Sequence, residues 1–265
     1  MNNAPIGIFD SGIGGLTVAH AIRECLPNES LIYFGDTEHL PYGEKSAQAI
    51  QHFSKGISRF LIEKQCKAIV IACNSASSTA YDEVKAVAAH VPVINVIDPA
   101  VNFLKELSAS RVGVIGTKAT IQSGVYKKQI ELHAAQHQVQ QMPTPLLAHM
   151  IEEHFFNKAV EQKVIAEYLS AQALQGIQHL VLACTHYPLI QNQIEDFYQG
   201  KINIINSAEL VAAEVKAKLS TLGLLANHAK PSYQFYVSDY TESFDKTADL
   251  FFGEEIGLEE VKLWA

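Results

Sequence analysis

The sequence predicts an α/β fold of two similar halves with largely parallel sheets, and three observations carry that prediction. Short β-branched runs alternate with amphipathic helical stretches along the 265 residues. Most of those runs are apolar without alternation, as parallel strands covered on both faces require. A segment of the first half, Ala68-Ile69-Val70-Ile71-Ala72-Cys73-Asn74-Ser75, returns in the second as His179-Leu180-Val181-Leu182-Ala183-Cys184-Thr185-His186.

Taken in order, strands are expected over residues 6–9, 31–34, 69–72, 93–96, 112–115, 179–182, 202–205 and 234–237. Helices fall between them, among others over 46–63, 78–89 and 157–174. The internal echo extends beyond its core. Residues 93–97 match 202–206, and 6–10 match 112–116 more loosely. The expected division is a first α/β domain of residues 1–98 plus 207–265 and a second of residues 99–206.

Bulk properties exclude several classes. A hydrophobic content of 48% fills a sizeable core. The formal net charge is -8 and the 20 Lys and Arg are scattered, which argues against a nucleic-acid partner. No apolar run reaches the roughly 18 residues of a membrane span. The N-terminus enters a strand-like segment at once, unlike a secretory signal, so a cytoplasmic location is expected. The oligomeric state is open, a homodimer included.

Four cysteines are present: Cys25, Cys66, Cys73 and Cys184. None has C-x-x-C spacing, which removes a zinc knuckle or thioredoxin-type motif. In a reducing compartment they are free thiols, either inert or reactive. Cys73 and Cys184 each stand just past a strand, where parallel α/β sheets gather ligands. The helix starts that follow offer backbone N–H groups to an anion. Each alone reads equally well as a buried structural cysteine; two in matching contexts point to chemistry. Cys25 and Cys66 lack this setting and read as structural.

A third strand end carries Asp10-Ser11-Gly12-Ile13-Gly14-Gly15. Its glycines let backbone approach a ligand, and Ser11 can donate to a carboxylate. The spacing is neither G-x-G-x-x-G nor a Walker motif. Pro41-Tyr42-Gly43 forms a rigid loop beside the same sheet edge, and Gly116-Thr117 with Thr120 and Ser123 supplies hydroxyls. Turns and helix caps use the same residue types. His186, two residues from Cys184, can hold or supply a proton. No metal-ligand constellation stands out, and neither does a Schiff-base lysine with a phosphate cup.

These segments resemble those of a known family. Asp10 to Leu16, Pro41-Tyr42-Gly43, Ala72 to Ser77, Gly116-Thr117 with Thr120, Ser123 and Tyr126, and Ala183 to Leu189 are similar to the signature segments of glutamate racemases, in the Asp/Glu racemase group. They occur in the family's order over nearly the whole chain. Ser75 stands where threonine is common, and residues 143–153 look like a diverged form of the family's P-L-x-x-x-x-E stretch.

The resemblance implies two pseudo-symmetric α/β domains with the active site between them. It implies cofactor-independent interconversion of L- and D-glutamate, supplying D-glutamate for peptidoglycan synthesis. Cys73 and Cys184 would be the two bases, with Asp10 and His186 assisting them respectively and Glu152 as a further carboxylate. Asp10, Ser11, Pro41, Tyr42, Gly43, Asn74, Ser75, Thr117, Thr185 and His186 would line the glutamate pocket. An aspartate or hydantoin racemase is the alternative within the group, and a catalytically silent small-ligand-binding protein the alternative outside it.

Two thiols suit such a reaction. A racemase removes a proton from one face of Cα and returns one to the other, and two similar halves place equivalent residues on opposite sides. A free thiol titrates near ~8.5, close enough to neutrality to act as acid or base.

Overall fold

A computed structural model describes residues 2–152, 158–227 and 230–264. The first half runs β1 (Ile6–Asp10), α1 (Leu16–Cys25), β2 (Leu31–Gly35), α2 (Ala47–Glu63), β3 (Ala68–Ile71), α3 (Asn74–Thr79), α4 (Tyr81–Ala88), β4 (Val93–Asn95) and α5 (Ile97–Lys105). The second half runs β5 (Arg111–Gly116), α6 (Lys118–Gln122), α7 (Val125–His133), β6 (Gln138–Pro143), α8 (Pro145–Glu152), α9 (Lys158–Leu169), β7 (His179–Ala183), α10 (Gln191–Tyr198), β8 (Asn203–Asn206) and α11 (Ser207–Thr221). The chain then adds β9 (Tyr233–Val237), α12 (Glu242–Phe252) and β10 (Leu258–Glu260).

Two sheets result, ordered β10-β9-β2-β1-β3-β4 and β6-β5-β7-β8. Every strand pairing described is parallel. The order β2-β1-β3-β4 of the first sheet is repeated as β6-β5-β7-β8 in the second, and the register is repeated with it. Phe9 pairs with Ile71 and Ile115 with Leu182. Cys73 and Cys184 are therefore the same position in the two halves, each the second residue beyond the paired one. Ile71 pairs in turn with Asn95, and Leu182 with Asn206.

That last match corrects the sequence comparison, which set 93–97 against 202–206 and so ran two residues out of step. Asn95 and Asn206 are the true equivalents, and both start a helix. The Oδ1 of Asn95 accepts from the N–H groups of Ile97 and Asp98 at 2.8 Å, and that of Asn206 from Ala208 at 3.0 Å. The helices they start, α5 and α11, pack on each other, α5 also on α7 and α11 also on α1. Since α1 and α7 follow equivalent strands, these contacts are related by the same pseudo-two-fold.

The first sheet is buried on both faces, which explains its unbroken apolar runs. Ile6 and Ile8 of β1 join a core shared with α1, α5, α11 and the second sheet. Phe9 faces the opposite way into a smaller core under α2 and α4. One core thus runs through both halves and fixes how the two sheets face.

All eight expected strands are present, each end within one residue of the expectation. Two strands were not foreseen. The segment Gln138-Val139-Gln140-Gln141-Met142-Pro143 is an edge strand, half-exposed and polar, and Leu258–Glu260 is a three-residue edge. The helix expected over 78–89 is instead two, beginning at Asn74. The helix expected over 157–174 opens at Asn157, outside the described residues; α9 ends at Leu169 and a 3-10 turn covers Gln172–Leu174. Among the described residues no helix is long and apolar enough to cross a membrane.

Candidate active site

Cys73 caps α3. Its backbone is extended, and its Sγ accepts the N–H of Ala76 at 3.4 Å. Burial pushes the Cys73 thiol far up, and the charge of Asp10 pushes it further. Hydrogen bonds from Ala76 and from the Ser11 side chain and backbone pull the other way and are outweighed. Cys73 therefore rests as a thiol.

Asp10, the last residue of β1, is fully buried. Its Oδ2 accepts from Gly12 and Gly15 at 3.2 and 3.0 Å, while its Oδ1 finds no hydrogen-bond partner among the described residues. Burial raises its pKa against the opposing effects of His186 and these backbone N–H groups.

The second cysteine has a different neighbour. Cys184 Sγ lies 3.6 Å from Nδ1 of His186, whose Nε2 bonds Glu152 Oε1 at 2.8 Å. Burial disfavours the imidazolium, yet the charge of Glu152 and the contact with Cys184 outweigh it and raise His186 well above its usual range. Glu152 shows the mirror effect. Burial would raise it, but His186 holds it below the ordinary carboxylate value. The pair is ionised at neutral pH, with the cation against the sulfur.

The strand ends meet across the cleft. A Cβ on Gly14 would lie 2.5 Å from His186 Cε1 and 2.7 Å from Thr185 Oγ1, so only glycine fits there. Thr17 donates to the Thr185 carbonyl at 3.1 Å. Ser75 Oγ is 2.9 Å from Thr117 Oγ1 and 3.3 Å from Thr120 Oγ1. Gly43 packs against Thr117, where a Cβ would come within 2.7 Å of the threonine Cβ. Tyr126 donates to Asn74 Oδ1 at 2.7 Å.

The structure thus gathers Asp10, Ser11, Gly43, Asn74, Ser75, Thr117, Glu152, Thr185 and His186 around the two cysteines' strand ends. Pro41 follows a cis peptide bond and precedes the 3-10 turn Tyr42–Glu44. Tyr42 is buried and joins this rim through that turn, its hydroxyl donating to Asp36 Oδ2 at 2.5 Å. Cys66 lies at the other end of β3 from Cys73, with its thiol pushed up to about 12 by burial. Cys25 ends α1.

Sequence reasoning passed over Asp36. It directly follows β2, so the rule that singled out the other strand ends applies to it as well. Asp36 is fully buried and also accepts from Ser238 Oγ at 2.8 Å, from His39 Nδ1 at 2.9 Å and from the indole of Trp264 at 3.2 Å.

A model of the Asp/Glu/Hydantoin racemase family matches residues 16–215 of this chain. The glutamate racemase of Chlorobaculum tepidum is 39% identical over 257 residues, 96% of this chain and 94% of its own length. That of Syntrophus aciditrophicus is 38% identical over 98% of this chain and 97% of its own. Among solved structures, glutamate racemase from Francisella tularensis in complex with D-glutamate superposes with a TM-score of 0.94 at 40% identity, covering 100% of this chain and 99% of that one.

Proposed function

This chain belongs to the Asp/Glu/hydantoin racemase family, and from that premise we propose that it is a glutamate racemase, an isomerase that moves one α-proton between Cys73 and Cys184 without a cofactor. The observation that carries the reading is the register match, which makes the two thiols the same position of two halves related by a pseudo-two-fold. The near-full-length similarity to glutamate racemases favours glutamate over aspartate or a hydantoin.

The chemistry follows from the unequal surroundings of the two sulfurs. With L-glutamate bound, Cys184 as thiolate takes the α-proton while the His186 imidazolium steadies the charge on that side. The carbanion at Cα takes the proton of the Cys73 thiol from the opposite face, giving D-glutamate. A Cys73 thiolate and a Cys184 thiol remain, which is the state needed to run the reaction backward from D-glutamate. Asp10 beside Cys73 and His186 beside Cys184 are the groups through which each thiol regains its starting protonation.

Positioned acid–base groups contribute only about 10²–10⁴-fold each. Stabilisation of charge delocalised from Cα toward the carboxylate falls to the hydroxyl donors of Ser11, Ser75, Thr117 and Thr185, in a site that excludes water. Tyr42 and Gly43 close its rim. The product would serve cytoplasmic peptidoglycan synthesis.

The test is to incubate L-glutamate with purified protein and follow its optical activity. Decay toward zero supports the reading. Unchanged rotation with glutamate still bound would favour a silent binding protein, and racemisation of aspartate alone would move the assignment within the family.

A further inference from the structure

Asn74 opens α3 beside Cys73 and is 3% exposed. Its two amide atoms are treated differently. Oδ1 accepts from the Tyr126 hydroxyl at 2.7 Å, while Nδ2 meets no hydrogen-bond partner among the described residues. Tyr126 belongs to the other half, on α7, and is fully buried. Burial first, then the charges of Asp98 and Cys184, drive its phenol far above the ordinary range, so it keeps its proton and can donate.

These facts fix which way round the amide sits. Turned over, it would present Nδ2 to the phenol oxygen. The tyrosine proton and Oδ1 would then both be buried without this partner, whereas in the observed arrangement only Nδ2 is. A buried donor left unpaired is disfavoured unless something else pairs with it. The position beside Cys73 makes that something the substrate.

We propose that Tyr126 is a positioning residue, which by donating across the cleft to Asn74 Oδ1 reserves the Asn74 Nδ2–H as a donor to a carboxylate of the substrate. The assignment rests on the glutamate reading above. Without the tyrosine hydroxyl the amide is free to turn and offer Oδ1, whose partial negative charge repels a carboxylate. The amide would hold the carboxylate in both ground and transition states, so its loss falls on KM more than on kcat. The same hydrogen bond ties α7 to α3, so the donor is in place only when the two halves are together.

The test compares steady-state kinetics of Tyr126→Phe, Asn74→Ala, Asn74→Asp and the Tyr126→Phe/Asn74→Ala double variant, with thermal unfolding of each. Tyr126→Phe should raise KM for both glutamate enantiomers roughly tenfold, as expected for a charge-assisted hydrogen bond, with a smaller fall in kcat. In the Asn74→Ala background the same change should add nothing to KM, because the amide it orients is gone. Asn74→Asp should raise KM above that of Asn74→Ala: one oxygen still receives the tyrosine proton and the other faces the substrate anion.

An unchanged KM in Tyr126→Phe, or KM effects that multiply in the double variant, would reduce Tyr126 to packing and overturn the proposal. If Tyr126→Phe does not fold, Asn74→Asp against Asn74→Ala decides alone, and a lower KM in the aspartate variant overturns it. Formation of D-glutamate by the wild-type protein is the control. Its absence rejects the glutamate reading itself, whereas an active wild type with an unaffected Tyr126→Phe variant rejects only the role of the tyrosine.

Discussion

His186 turns one ring nitrogen to Cys184 Sγ at 3.6 Å and the other to Glu152 at 2.8 Å. In the first half Ser75 takes the matching position, and the charged neighbour of Cys73 among the described residues is Asp10. The cysteines are equivalent by register and opposite in electrostatics, one beside a cation and the other beside a carboxylate. His186→Asn should therefore cut kcat/KM by about 10²-fold or more, equally in both directions, as an equilibrium constant of one requires. The fall in kcat at saturating substrate should be larger for L-glutamate, whose proton Cys184 is proposed to take. Initial rates at saturating substrate in both directions decide it. Equal falls in kcat would mean that the imidazolium serves the site as a whole.

The His186–Glu152 pair also predicts how stability depends on pH. His186 has a raised pKa in the folded state, so its contribution is full below the unfolded value near ~6.5 and is lost as pH rises through the raised one. Glu152 has a lowered pKa, so its contribution is full above about 4.5 and is lost as pH falls through the lowered one. Both are complete only between those limits. Glu152→Gln should cost roughly 1–3 kcal/mol there, and the gap to wild type should narrow toward acid and toward alkali. A gap that is flat from pH 4 to pH 9 in thermal unfolding would contradict the pairing.

For activity, kcat/KM should be bell-shaped, because one thiolate and one thiol are needed together; the limbs belong to the coupled pair. The charge of Asp10 is one of the causes that raise Cys73, after burial. Asp10→Asn removes that charge, so the Cys73 thiol should ionise more readily. The alkaline limb of the L-to-D reaction, which needs the Cys73 proton, should then move to lower pH. A limb that stays in place or moves up would reject Asp10 as the negative neighbour of Cys73.

Much of this arrangement was legible in the sequence, because interior parallel strands are apolar on both faces and end in polar turns. Phe9-Asp10, Ala72-Cys73 and Ala183-Cys184 all announce themselves in that way. The strand over Gln138–Pro143 did not, since an edge strand has one partner and can be polar, and glutamines carry no strand signal. The sequence places the helix after Cys73 only from residue 78, because Asn74 and Ser75 are poor helix formers; the Cys73 sulfur acts as a cap and starts the helix at once. The carboxylate of Asp36 collects donors from residues 39, 42, 238 and 264, a convergence that only the folded chain reveals.

That convergence leads to a prediction at the far end of the chain. Trp264 packs into the space over Gly56, where a Cβ would lie 2.4 Å from its ring, and donates to Asp36, which in turn holds Tyr42. Disturbing Asp36 or Trp264 should reach the site through Tyr42. KM should rise most in Asp36→Asn, less in Trp264→Ala, and least in Trp264→Phe, which keeps the packing and loses one hydrogen bond. Lower thermal stability in Trp264→Ala with an unaltered KM would show that the tail braces the fold without touching the site.

Gly14 provides a steric test of the cleft. The atoms its Cβ would strike belong to a buried ring held by Glu152, which has little room to retreat. Gly14→Ala should push His186 from Cys184 and lower kcat by at least about tenfold, in line with the loss of a positioned acid–base group. Gly257→Ala, with nothing within 4 Å of the new Cβ, is the matched control and should behave as wild type. Full activity of Gly14→Ala would mean that the contact between the glycine turn and the Thr185-His186 segment is not needed for catalysis.

The sharpest test asks which thiol faces which enantiomer. The register makes the two positions equivalent and leaves handedness open, while family resemblance assigns D-glutamate to Cys73 and L-glutamate to Cys184. Serine in place of cysteine keeps most of the shape and is a far weaker base at neutral pH. A glutamate analogue with chlorine at Cβ makes abstraction visible by itself, because the carbanion expels chloride without waiting for a proton from the opposite face. Cys73→Ser should then release chloride from the L-configured analogue and fail on the D-configured one, since Cys184 still works. Cys184→Ser should show the reverse preference. Racemisation of glutamate itself should collapse in both variants, because each turnover needs both residues. The same preference in the two variants would refute the handedness, and equal loss on both analogues in both variants would mean that the thiols do not act as separate bases on opposite faces.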